Sequence, residues 1–225
     1  MSRARTSLMA LALLVACCSS SWAAVAIDVT VFRDQSPRRA TLTTPNFSTA
    51  AANELVLAFV STDYRTGANT TVTGVSGGGL TWVLVRRTNV QRGTAEIWRA
   101  FAPSVLTNVS VTATLSQSVV ASMTVMTFTG VDPSGTNGSG AIGATGTGNA
   151  SASAPSVSLV TTRNNSLVVG VGNDYDNAIP RTPAAGQLLV HSYLPPIGDT
   201  YWVQRQASLT PLSGQTVDQR HRADG

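Results

Sequence analysis

The sequence contains no lysine: all fifteen of its basic residues are Arg. Its two cysteines, Cys17 and Cys18, sit side by side near the start, so whatever folds beyond them has neither disulfide nor thiol chemistry. Histidine is also scarce, with two residues, which leaves too few ligands for a zinc site. Glu54 and Glu96 are the only glutamates, and no spacing among the nine aspartates selects a carboxylate pair for glycoside hydrolysis. Charged residues make up 12% of the chain against 43% apolar ones, which excludes a disordered, self-repelling chain. The pI near 9.7 overstates the basic character. Arg3 and Arg5 belong to a leader, and the remaining thirteen Arg face eleven acids. Arg86, Arg87, Arg92 and Arg99 cluster around Glu96, which reads as a strand face with local ion pairs. Nucleic acid is therefore not an expected partner.

What is present begins with that leader. Arg3 and Arg5 precede the apolar run Leu8–Ala16, which is about half of the ~20 residues a bilayer-spanning helix requires. This is the pattern of a bacterial secretory signal, and no later segment offers a transmembrane helix. Two cuts compete. Ala24-Val25-Ala26 suits signal peptidase and would release a chain starting at Ile27. Leu14-Val15-Ala16-Cys17 has the form of a lipobox, in which Cys17 is lipidated and anchors the chain to a membrane. The expected location is extracellular or on the bacterial cell surface.

The rest reads as all-β. Val109–Leu115 alternates apolar and polar residues, as a strand with one wet face does. Leu55–Val60, Val119–Phe128 and Leu167–Val171 are apolar throughout and are expected as central, doubly covered strands. Leu80–Arg87, Ala95–Phe101 and Thr200–Gln204 are shorter strands. Gly77-Gly78-Gly79, Asp132-Pro133-Ser134-Gly135 and Pro195-Pro196 mark turns. Residues 130–155, rich in Gly, Ser, Thr and Ala, form either a linker or a long loop within one domain.

A weak repeat favours the loop. Phe47 to Leu55 and Leu159 to Leu167 cover the same eight-residue step. Asp63-Tyr64 answers Asp174-Tyr175, and Glu96-Ile97-Trp98 answers Thr200-Tyr201-Trp202. The pattern predicts one β-sandwich over 27–217, jelly-roll-like or immunoglobulin-like, built from two related halves. Beyond Trp202 too little chain remains to mirror 109–128. The sandwich is thus expected to miss its last strands, with 218–225 as a charged tail outside the sheets, as in a truncated or frame-shifted product.

The segments Asn53-Glu54-Leu55, Gly77-Gly78-Gly79-Leu80-Thr81-Trp82, Ala95–Ala100, Val125–Val131 and Gly172–Tyr175 together resemble a group of secreted bacterial β-sandwich modules found beside immunoglobulin-like or fibronectin-like domains. That resemblance implies fold and location, and it carries no catalytic activity.

Three chemistries have candidate residues. Gly74-Val75-Ser76-Gly77-Gly78 fits the G-x-S-x-G hydrolase elbow, with Asp174 and His191 as nominal partners, but a strand follows where the elbow requires a helix. A secreted hydrolase of esters or glycans is therefore the alternative, and a non-enzymatic module the main expectation. Asn173, Asp174 and Asp176, with Asp199, concentrate oxygen ligands that plain turn chemistry explains first and that a structural Ca2+ could also use. Trp82, Trp98, Tyr201 and Trp202 could stack on sugar rings or fill a core. The expected role is adhesion, polysaccharide contact or cell-envelope structure.

Overall fold

The computed structural model describes residues 24–151, 155–175 and 178–223. The leader, Cys17 and Asp176 lie outside them. The chain is all-β, with several sheets packed face to face in the manner of a sandwich.

The first six strands are β1 (Ala26–Thr43), β2 (Glu54–Thr62), β3 (Val72–Gly77), β4 (Val83–Thr88), β5 (Thr94–Ala102) and β6 (Val111–Thr129). They form one antiparallel sheet in the order β1-β6-β2-β5-β4, with β3 pairing separately to β6. β6 is long enough to serve two layers: Val111–Leu115 pairs with β3, while Ala121–Phe128 pairs with β2. β1 follows it along both stretches, and its register slips between Gln35 and Thr41. Bulges of this kind let a strand turn the corner from one layer to the next. The sheet thus folds over itself, enclosing Leu42, Val111, Ala113 and Leu115 against Val56, Ala58, Val60 and Ala100.

The remaining strands are β7 (Ser156–Val160), β8 (Val169–Asp174), β9 (Arg181–Pro183), β10 (Gln187–Tyr193), β11 (Thr200–Gln206) and β12 (Thr216–Ala223). They form two three-stranded sheets, β10-β11-β8 and β7-β12-β9. The first packs Val203, Val169 and Val171 onto the free face of β2 and β6, where Leu55, Leu57, Phe59, Met126 and Phe128 lie. Complete burial of a side chain such as Phe59 contributes about 2–3 kcal/mol. The second sheet covers the far side through Gln204 Nε2 donating to Gln219 Oε1 (2.6 Å) and the Arg181 guanidinium lying 5.4 Å from the Trp202 ring centre.

The pairings β1·β6, β3·β6, β2·β6, β2·β5 and β4·β5 in the first sheet, and β7·β12, β9·β12, β8·β11 and β10·β11 in the other two, are all antiparallel. Register is not shared: Trp98 faces Ala58, whereas Trp202 faces Gly172.

Four expectations need correction. Residues 111–115 and 119–128 belong to one continuous strand, β6, with Val109 just before it bridging Phe47. β1 was not anticipated; it lies at a sheet edge, where Arg33, Arg38 and Arg39 face solvent and Pro37 sits within the register break. Of residues 167–171, expected as a doubly covered strand, only 169–171 are strand; they begin β8, an edge strand that is half-buried throughout. The described part of the charged tail, 218–223, belongs to strand β12, central in its sheet. Val217 and Gln219 point inward and are buried, so the polar sequence hides an alternating pattern. The loop over 130–155 is irregular where described, apart from a 3-10 turn at Ser139–Ala141.

Candidate functional site

At one end of the molecule three connections converge: the loop after β2, the turn before β5 and the end of β8. Each is tied down by side-chain amides. Gln117 Oε1 accepts from the Arg65 and Thr66 amides (3.1 and 3.3 Å), and its Nε2 donates to the Thr66 and Ala68 carbonyls (3.1 and 2.5 Å), which fixes the β2–β3 loop. Asn69 Nδ2 donates to the Asn89 and Gln91 carbonyls (2.5 and 2.8 Å), which fixes the β4–β5 turn. Asn173 Nδ2 donates to the Thr62 carbonyl (2.7 Å), drawing the end of β8 against the end of β2. Gly93, at φ 78°, makes the close approach possible: a Cβ there would stand 2.3 Å from the Thr62 carbonyl oxygen and 2.4 Å from Asn173 Nδ2.

These ties bring Tyr64 and Tyr175 together, edge to face, with ring centres 6.4 Å apart. The exposed Arg92 places its guanidinium 5.4 Å from the Tyr64 centre and 5.5 Å from that of Tyr175. Both rings are half-buried, and the Tyr64 hydroxyl donates to the Gly67 carbonyl (3.1 Å). Beneath them the buried Asp63 accepts from the Tyr64 amide (2.6 Å) and lies 3.8 Å from the exposed Arg38. The result is a preformed aromatic and cationic platform on the protein's rim.

The aromatic residues singled out by sequence lie elsewhere. Trp98, Tyr201 and Trp202 are 9%, 1% and 4% exposed, so they fill the core and offer no face to a sugar. Trp82 is half-buried against the same core, its Nε1 donating to the Gly77 carbonyl (3.2 Å). Trp98 Nε1 donates to Glu96 (2.9 Å), and Arg87 closes on the same carboxylate through Nε (2.7 Å) and Nη2 (3.0 Å). The Tyr201 hydroxyl donates to Asp199 (2.6 Å), and burial followed by that carboxylate raises the phenol far above its ordinary range.

The oxygen ligands proposed for calcium do not share a centre in the described part. Asn173 faces Thr62, Asp174 pairs with Arg181, and Asp199 holds Tyr201. Among the described residues no group of three or more His, Cys, Asp or Glu side chains converges on a metal position. Burial pulls the Arg181 guanidinium below its ordinary value.

The hydrolase pattern is likewise dispersed. Ser76 lies in β3, followed by a tight glycine turn and β4, so no helix N-terminus backs it. His191 meets Asp34 (2.9 Å), not Asp174, and stacks on Phe32 at 4.1 Å. Ser122 donates to the same Asp34 oxygen (2.8 Å). The carboxylate therefore stands between Ser and His, where a triad needs the imidazole.

The signal for the tyrosine platform was in the sequence, as the repeated Asp63-Tyr64 and Asp174-Tyr175. Arg92 was hidden, because nothing in the sequence brings a turn 28 residues away onto Tyr64. No family model, curated protein or solved structure matches the chain.

Proposed function

We propose that this chain is an exported, non-catalytic β-sandwich module of a bacterial surface that contacts polysaccharide through Tyr64, Arg92 and Tyr175. The observation that carries the reading is Arg92 set between two half-exposed tyrosine rings on loops fixed by Gln117, Asn69 and Asn173. The C–H faces of sugars stack on such rings, and a guanidinium offers paired donors to hydroxyls or to the carboxylate of an acidic sugar. Because the loops are already ordered, binding loses little conformational entropy. The expected cell-surface location suits a module displayed outside the cell.

The test is a binding screen of the full chain against neutral and uronic-acid polysaccharides, repeated with Tyr64→Ala/Tyr175→Ala. The reading expects retention on acidic polymers and at least a tenfold loss in the double variant. Binding that the double variant leaves unchanged would remove the platform from the function, and no retention on any polymer would remove the polysaccharide reading.

A further inference from the structure

β1 slips in register between Gln35 and Thr41, and the slip brings Ser36–Thr41 to the surface: every residue of that stretch is exposed, between the buried Gln35 and Leu42. A bulged segment leaves its ladder and re-aims its side chains. Arg38 turns to the end of β2, where its Nη2 lies 3.8 Å from Asp63 Oδ2 while Asp63 Oδ1 accepts from the Tyr64 amide. Arg39 registers with Val119, two residues from Gln117, whose side chain holds the loop that carries Arg65. Arg92, from the β4–β5 turn, lies over the Tyr64 ring. Three separate segments thus gather Arg38, Arg39, Arg65 and Arg92 at the end of the molecule that holds the tyrosine pair.

These arginines differ from those elsewhere in the fold. Arg87 closes on Glu96, Arg163 on Asp132 and Arg181 on Asp174. Arg38, Arg39, Arg65 and Arg92 are all exposed, and among the described residues none of their guanidinium groups hydrogen-bonds a carboxylate. The 3.8 Å between Arg38 and Asp63 is too long for such a bond, yet close enough to hold Arg38 beside the platform. The carboxylates at this end are engaged by other groups: Asp63 by the Tyr64 amide, Asp174 by Arg181 and Asp199 by the Tyr201 hydroxyl. Like charges gathered without matched acids repel one another, and a bound polyanion relieves that repulsion.

We propose that the binding site does not end at the tyrosine pair: Arg38, Arg39 and Arg65 extend it along the β1 bulge, and its ligand is a polyanionic sugar chain whose successive carboxylates or sulfates meet these arginines. The inference rests on the polysaccharide reading of Tyr64, Arg92 and Tyr175. Arginine suits the task because its planar fork takes two oxygens of one anionic group. Each contact on an exposed rim is weak, so selection comes from number: a chain with several charges displaces several counterions, whereas a neutral chain displaces none. The formal charge of the whole sequence, +4, gives little long-range pull on nucleic acid. A sugar chain is the polyanion for which the tyrosine rings also supply a stacking face.

The test measures affinity of the full chain for polygalacturonate, dextran sulfate and neutral dextran across a sodium chloride series. Arg38→Gln/Arg39→Gln/Arg65→Gln should weaken binding to the charged polymers about tenfold at low salt and flatten the salt dependence, with the urea midpoint unchanged. The same three positions changed to Lys should keep the salt dependence while recovering only part of the affinity, since the fork is lost. The tighter of the two charged polymers identifies the anionic group. A glutamine triple variant that binds like the parent, while Tyr64→Ala/Tyr175→Ala loses binding, would overturn the extension and leave the polysaccharide reading standing. Binding that the tyrosine variant leaves unchanged, or no retention of any polymer, would remove that reading and the extension with it. Neutral dextran bound as tightly as the charged polymers, or single-stranded DNA bound more tightly than either at the same salt, would overturn the polyanionic sugar as ligand.

Discussion

β2 and β8 each pair antiparallel with the strand three places later in the chain, and each is apolar along much of its length. β2 has a neighbour on both edges and an apolar layer on both faces; β8 has one strand neighbour among the described residues. The interior around β2 is correspondingly closed. Glu96, wholly buried, accepts from Val72, Arg87, Thr94 and Trp98, so its charge is matched on every side. The interior around β8 holds a buried cation, Arg181, which meets Asp174 and the Trp202 ring. The burial patterns differ accordingly: every residue of β2 is buried and every residue of β8 half-buried.

The largest effect should come from breaking the closed side. Glu96→Ala leaves the Arg87 charge and the Trp98 N–H without their partner and should cost about 3–5 kcal/mol, read as a fall in the urea midpoint. Around β8, Gly172→Ala sets a Cβ 2.0 Å from Trp202 Cζ2. The ring must move, and about 1–3 kcal/mol should be lost, with tryptophan fluorescence changing in step. If G172A cost as much as E96A, the two cores would be equally rigid and the contrast would fail.

A smaller effect depends on pH. Burial, helped by the nearby Asp28, raises the Glu54 carboxyl above its ordinary value. Its protonated form is thus favoured in the folded state, so the stability linked to it is present below the unfolded carboxylate pKa and lost as pH rises through the folded one. Glu54→Gln should leave stability at pH 4 nearly unchanged and raise it by about 1 kcal/mol or less at pH 7, seen in paired denaturant titrations. The smallest stability change belongs to the rim: Tyr175→Ala should lower the unfolding free energy by less than about 1 kcal/mol in a denaturant titration, while removing most polysaccharide affinity.

The sequence announced the strands whose side chains carry the packing. β2 and the second half of β6 were legible because burial on two faces demands continuous apolar runs, and β5 and β11 through their aromatic and β-branched residues. β1 and β12 were not. An edge position lets β1 carry five charged residues, Asp28, Arg33, Asp34, Arg38 and Arg39, and β12 buries Gln219 where a hydrophobic residue was sought. The site followed the same division. The aromatic residues in β5 and β11 were visible and proved to be core, since both strands lie inside their sheets. Tyr64 and Tyr175 were marked only by their repetition, and their partnership with Arg92 depends on Asn69 and Asn173 bringing separate loops together.

The length of β6 carries a kinetic consequence. Ala26 pairs with Thr129 and Thr43 with Thr112, so the first sheet cannot close until the chain has been made well past its hundredth residue. Contacts so remote in sequence fold slowly, since the loop must be gathered before any pairing rewards it. A nascent chain of this kind stays threadable for longer than one built from neighbouring hairpins, which suits a polypeptide proposed to cross a membrane before it folds.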